Sequence, residues 1–273
     1  MQVEFANANP FQEAISDLLK RQILPTNLGS AELRQLSSAV KRQSLFSART
    51  TLTGYLDEIK STVESIINPK QVLRDGMTQT VTEGLNPATA RAALRDKLKA
   101  LGYSATPGEE GTIKDLSSDA RINLVIKTNT ELAQGAGRMI QMNDPEVLDG
   151  FPAQELVRYD EKDTPRDWPA RWRVAAQVAN DPGAAAALGL HGRMVALKSS
   201  GIWQALGDGA GDYDDTLGNP FPPFAFNSGM WVESVSREDA IALGLIKHWN
   251  TPQPAAIDFA NIFGTPDYAE AFS

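Results

Sequence analysis

The sequence predicts an α+β protein: an extended N-terminal helical region, then a small α+β domain built around one long amphipathic helix. Three observations predict it. Between Asp115 and Gln141, the residues Ile122, Val125, Ile126, Leu132, Ala133, Ala136, Met139 and Ile140 recur at three- and four-residue steps, which puts them on one stripe of a helix. Residues 1–102 hold several shorter stripes of the same period, bounded by proline, serine and glycine. Past about residue 150 the helical period weakens and short alternating runs replace it.

Taken in order, Asn9-Pro10 reads as an N-cap and first helical position, with Phe11, Ala14, Ile15, Leu18, Leu19 and Ile23 on one face and Pro25 ending it. Ser30 caps a second helix whose inner side is Leu33, Leu36 and Val40. A third runs through Leu52, Leu56, Ile59, Val63 and Ile66 to Asn68-Pro69. Asn86-Pro87 opens a fourth with Leu94, Leu98 and Leu101, and Gly102 is placed to end it as a left-handed cap. These stripes are narrow and the helices long, which suits a bundle or an arm completed by a neighbouring chain.

Tyr103 to Gly111, with Pro107 and two glycines, reads as a connector before the long helix. In that helix Ser117 or Ser118 is the expected cap, with Asp119 at the positive end of the dipole. Asn129 falls in the middle of the apolar stripe, so its amide needs partners, expected from backbone that folds back onto the helix. Further on, Glu155–Tyr159, Arg193–Lys198 and Trp231–Val235 read as strands. A helix is expected from Pro169 to about Ala179 and a helical turn over Gly201–Leu206. Ser236 should cap Arg237–Leu243, ended by Gly244. Asn180–Gly189 reads as a loop or insertion, and Pro220–Phe224 cannot be a central strand because proline lacks the ladder donor. The expected organisation is thus a helical arm or bundle over 1–102, a connector over 103–111, an α+β domain over 112–249, and a C-terminal docking tail over 250–273.

Composition narrows the classes. The chain has 273 residues, 42% of them hydrophobic, enough for one large or two small domains with a real core. No apolar run approaches a membrane span, and the first ten residues lack a basic stretch followed by an apolar block, so neither a span nor a secretory signal is expected. There is no cysteine, which excludes disulfides, thiolate metal sites and a cysteine nucleophile. The net charge of −8 is uneven: residues 1–100 carry 13 Lys+Arg against 10 Asp+Glu, and residues 101–273 carry 13 against 24. An acidic C-terminal part repels phosphate backbones, so DNA contact is expected, if anywhere, near the N-terminal region.

Several clusters invite chemical readings. Gly207–Asp215 places four aspartates in a glycine loop, the oxygen chemistry calcium takes, yet the EF-hand spacing fails at Asn219. His191 and His248, the only histidines, sit in no metal or nucleophile motif. Asp160, Glu161 and Asp163 are expected to pair with Arg158, Arg166 or Arg171. Trp168, Trp172, Phe221, Phe224, Phe226 and Trp231 gather near prolines, as a core or as a partner surface. In the tail, Phe259, Ile262, Phe263, Tyr268 and Phe272 call for docking on the same chain or on a neighbouring subunit. No catalytic, cofactor-binding or metal-ligating residue is assigned, and no cofactor is expected.

One resemblance adds what spacing does not. The order runs T-I-x-D-L-S-S-D-A-R-x-N-L (Thr112–Leu124), T-N-x-x-x-A-x-G-x-G-R (Thr128–Arg138), P-A-x-E-L-V-R (Pro152–Arg158), P-R-D-W-P-A-R-W (Pro165–Trp172), M-V-A-L-K (Met194–Lys198), P-F-P-P-F-A-F-N-S-G-M (Pro220–Met230) and V-S-R-E-D-A-I-A-L-G-L (Val235–Leu245). Over roughly residues 30–246 this resembles the tailed-phage head-morphogenesis family, the minor head proteins similar to protein F of phage Mu. The resemblance implies a structural minor capsid protein of a double-stranded DNA phage. Such a protein lies near the portal in the virion head, is assembled in the host cytoplasm, and acts in head assembly or DNA delivery. Its implied partners are the portal protein, the major capsid protein and other copies of itself; no catalytic residue comes with it. Many relatives end the domain in a Pro-Asn-Cys-Arg-Cys-like turn; Phe226-Asn227-Ser228-Gly229-Met230 stands there instead, so no metal role transfers. Two other expectations stand beside it: a head–tail connector or shell accessory in full-ring copy number, and an enzyme of the ADP-ribosyltransferase kind, for which no Ser-Thr-Ser strand with a Glu-x-Glu pair is present.

Overall fold

Caps and apolar spacing fix most of the helices. The computed structural model describes residues 12–68, 72–74, 77–79 and 87–248. In chain order these form α1 (Gln12–Lys20), β1 (Gln22–Ile23), α2 (Ser30–Gln35), α3 (Ser38–Gln43), β2 (Ser44–Leu45), α4 (Thr53–Ile67), β3 (Val72–Arg74), β4 (Met77–Gln79), α5 (Pro87–Ala100), α6 (Asp119–Met142), α7 (Pro145–Gly150), β5 (Ala153–Arg158), α8 (Trp168–Val178), α9 (Pro182–His191), β6 (Val195–Leu197), α10 (Ile202–Asp208), β7 (Met230–Val235) and α11 (Arg237–Ala242). The fold class is α+β with an N-terminal helical region. Among the described residues no helix is long and apolar enough to cross a membrane. The expected cap at Asn9, the residue Asn86 and the tail over 250–273 lie outside the described residues.

Two compact units emerge, and their division does not follow the chain. The first gathers residues up to Gly29 with Ser44–Gly137; the second gathers Ser30–Gln43 with Arg138 onward. Residues 30–43, read from sequence as part of the helical front, therefore count with the second unit. The long helix α6 is divided after Gly137.

In the first unit, Ala14 and Leu18 of α1, Tyr55, Leu56, Ile59 and Val63 of α4, Leu94 and Leu98 of α5, and Ile122 and Val125 of α6 make one core. Ser118 is the cap that starts α6, its Oγ accepting from the Arg121 amide at 3.1 Å. Asp119 follows in the first turn and pairs with Arg91 and Arg95. Asn129 is buried mid-stripe, but its amide donates to the Val125 carbonyl of its own helix at 2.9 Å, not to a segment folded back. Ile23 leaves the helix expected for it and enters β1, parallel to β2; β3 and β4 pair antiparallel. Leu19 and Leu101, assigned inward from their spacing, are exposed. The connector is ordered around buried Asp115. Its carboxylate accepts from the Gly111 amide at 2.9 Å, the Ser117 amide at 2.8 Å and the Tyr103 hydroxyl at 3.3 Å.

In the second unit, a three-stranded antiparallel sheet runs β6-β5-β7, with Gln154 opposite both Ala196 and Ser234. Alternate residues serve opposite faces, as the pleat requires. Leu156, Ala196, Met230 and Val232 join Trp172 of α8 and Trp203 of α10, while Ala153, Val195 and Val235 join Ala187 of α9 and Ala240 of α11. The helix expected to run on from Ser30 is broken into α2 and α3, where Ser37 turns its hydroxyl to the Val40 amide. The stretch from Asn180 to Gly189, read as a loop, is largely α9. The alanine run carries no polar contrast and so no period; the caps define the helix. Asp181 accepts from the Ala184 amide, Pro182 follows, and Gly192 closes it at φ +69°.

Candidate functional site

The charged and aromatic residues singled out in the sequence meet in the second unit, around residues 207–230. The Gly207–Asp215 loop leaves α10 through Gly209, which is left-handed at φ +82°. Its aspartates do not converge on a common centre. Asp208 Oδ1 accepts from the Ser38 hydroxyl at 2.6 Å, Asp214 pairs with Arg34 at 2.9 Å, and Asp215 takes Arg166 at 2.6 Å and Arg171 at 2.7 Å. Asp208, Asp214 and Asp215 each face a separate cation or hydroxyl, so the calcium reading has no shared cage to stand on. Among the described residues no group of three or more His, Cys, Asp or Glu could hold an ion.

Arg171 is the centre of this arrangement. Its Nη1 and Nη2 reach the two oxygens of Asp215, the bidentate geometry a planar guanidinium favours. The same group lies 4.1 Å from the Tyr213 ring centroid and 5.1 Å from that of Trp168. Burial alone would push the Asp215 carboxyl up; the Arg171 and Arg166 charges outweigh it and hold the group below its ordinary value. Arg166 also donates to the Phe226 and Asn227 carbonyls. Of the three arginines expected to meet Asp160 and its neighbours, Arg166 and Arg171 go to Asp215, while Asp160 pairs with Lys162, which also reaches Asn227. Sequence proximity misleads for Arg166 and Arg171, because packing brings the distant Asp215 against them.

Behind the loop sit the aromatics. Trp172 and Trp203 meet edge-on at 5.3 Å, and Trp203 stacks on Phe224 at 6.0 Å. Trp168, Trp172, Phe221 and Phe224 are buried, and Phe226 and Trp231 half-buried, so the set is mainly core. The proline-rich stretch forms a closed turn. Leu217 donates to the Phe224 carbonyl, Phe226 to the Asp215 carbonyl, and the fully buried Asn219 amide to the carbonyls of Phe221 and Pro223.

Sequence reasoning missed the residues that seat α2 and α3 on this loop. Lys41 Nζ donates to the Thr216 and Arg34 carbonyls at 3.4 Å, and Arg42 to the Gly218 carbonyl at 2.8 Å. A signal was present: Arg34, Ser38, Lys41 and Arg42 fall at helical spacing, opposite in charge to the aspartate loop. Also missed was Lys198 at the end of β6. It is buried, it donates to the Met142 carbonyl at 3.3 Å, and burial with Arg138 nearby pushes its amine down to about 8. His191 is exposed in the last turn of α9, and His248 is exposed beyond α11. Chemically, this arrangement is a lock: Asp214 and Asp215 are paired with arginines, Asp208 accepts from the Ser38 hydroxyl, and the aromatics fill the space behind them. No family model, curated protein or solved structure matches the chain.

Proposed function

We propose that this chain is a non-enzymatic minor capsid protein of a tailed double-stranded DNA phage, lying near the portal in the virion head and acting in head assembly or DNA delivery. One observation carries the reading. Two of the stretches behind the resemblance, Pro165–Trp172 and Pro220–Met230, are far apart in sequence. Arg166 and Arg171 fasten the first to Asp215, a few residues before the second, and Arg166 also to the Phe226 and Asn227 carbonyls within it. This polar network of the second unit is thus spent on holding loops to helices, which suits mechanical assembly. The partners of this reading are the portal or major capsid protein and further copies of the chain, with packaged DNA near the N-terminal region.

The test uses the full chain. Removing residues 1–102 would also remove α2 and α3 from the second unit, so a truncation confounds docking with damage. Purified particles should contain this protein in fewer copies than the portal, with density beside it, and the intact chain should co-purify with its cognate portal. Absence from particles would defeat the reading; a full-ring copy number would replace it with the connector; NAD turnover by purified protein would replace it with an enzyme.

A further inference from the structure

The segment carrying α2 and α3 has an unusual topology. Its base is pinned shut in the first unit: β1 and β2 run parallel, Leu24 donates to the Leu45 carbonyl, Thr26 to Thr50, and Arg49 to the Leu28 carbonyl at 2.9 Å. The chain leaves after Leu28, which lies beside Arg49, and returns at Ser44, which pairs with Gln22 at the start of β1, so the flanks run side by side on either end of the segment. What lies between, residues 30–43, counts with the second unit, while both flanks count with the first.

Its seat is specific. Leu33 and Val40 are buried. Arg34, Ser38, Lys41 and Arg42 meet Asp214, Asp208 and the Thr216 and Gly218 carbonyls. Gly218, at φ +78°, has no room for a side chain, since a Cβ would stand 2.7 Å from the Ser38 Cα. A basic helical segment thus fits an acidic loop by charge, by shape and by a bare glycine.

We propose that residues 30–43 form an exchangeable arm, and that the seat on residues 204–218 accepts the arm of a second copy of this chain when copies are held side by side. Because its two flanks are hydrogen-bonded to each other in the first unit, the arm can move as a unit, with the turn changes confined to its two ends. The contacts made in exchange are the ones made within a chain, so the swap is nearly neutral in contact energy and is decided by local concentration. The pair at the rim, Arg34–Asp214, is exposed and contributes little against release. This exchange does not depend on the virion reading; it would give any assembly of this chain a link from copy to copy.

The absence of cysteine makes the test clean. Ser38→Cys and Asp208→Cys are prepared as separate full-length variants, mixed over a dilution series and gently oxidised. Exchange predicts a disulfide dimer in the mixture that grows with concentration and exceeds the dimer formed by either variant alone. The double variant, S38C with D208C, should close within one chain when dilute. Arg34→Cys with Asp214→Cys repeats the experiment at a second contact, guarding against one variant that fails to fold. A mixture that stays monomeric while the double variants close internally would overturn exchange, and double variants that never close at either contact would remove the seat itself. A dimer in purified protein would stand even if the chain proved absent from particles.

Discussion

Arg171 and Asp215 face each other across the second unit in a two-point pair, Nη1 to Oδ1 at 2.7 Å and Nη2 to Oδ2 at 3.0 Å, with the guanidinium between Trp168 and Tyr213. Removing one member leaves the other charge partly desolvated. Asp215→Ala should destabilise the second unit by about 3 kcal/mol, and Arg171→Lys by less, because a lysine cannot reproduce the fork or the stacking. All five tryptophans lie at or beyond position 168, so urea unfolding followed by tryptophan fluorescence reads this unit selectively.

The same pair sets an acid limb. Asp215 is held below its ordinary value despite burial, by Arg171 and then Arg166. A depressed carboxyl contributes stability that is present above the unfolded value, near 4, and is lost as pH falls through the lower folded value. Wild type should therefore lose stability on acidification below about pH 4, and Asp215→Asn, weaker at neutral pH, should show a shallower acid loss. Equal slopes in the two proteins would count against this assignment.

Lys198 gives the opposite limb. Its folded value of about 8 lies below the ordinary lysine value of 10.5, so between them the unfolded chain binds more protons and stability rises with pH. The rise is at most about 3 kcal/mol. Lys41, pushed down by burial, adds in the same direction. Lys198→Met should shrink the rise without abolishing it, as read from urea midpoints on either side of the window.

Two glycines should answer alanine oppositely. A Cβ on Gly207 would run into the Asn219 carbonyl and backbone, so Gly207→Ala should cost about 3 kcal/mol. A Cβ on Gly189 in α9 meets nothing within 4 Å, and Gly189→Ala should stabilise by roughly 0.5–1 kcal/mol. Thermal melts of the two variants check both signs.

Asp115 organises the turn before α6. Its carboxylate stays below its ordinary value although burial opposes this, because the Ser117 hydroxyl and amide, the Gly111 amide and the Tyr103 hydroxyl bond to it. Asp115→Ala should cost on the order of 2 kcal/mol locally. Hydrogen exchange at the Gly111 and Ser117 amides should accelerate, with the tryptophan signal of the second unit unchanged.

Much of the local structure was readable before any coordinates. The α6 stripe, a serine cap at 117 or 118, the Ser236 cap, the Gly102 and Gly244 stops and the three strands of the second unit all follow from neighbours a few residues apart. The alanine-rich α9 escaped because its period carries no contrast, and the Ser37 break escaped because a serine cap competes with helix continuation only when the following segment has somewhere to pack.

The sequence by itself determined the α+β class, the longer helices, the three strands of the second unit's sheet and the burial of Ile122, Val125 and Asn129, because helix period, capping and strand alternation are short-range physics. Only the tertiary structure decided that Arg34, Ser38, Lys41 and Arg42 belong with the aspartates some 170 residues later, and that Arg166 and Arg171 serve Asp215 rather than nearby acids. The reason is that an ion pair is chosen by which groups are desolvated together. That depends on packing between distant segments, which no local pattern encodes.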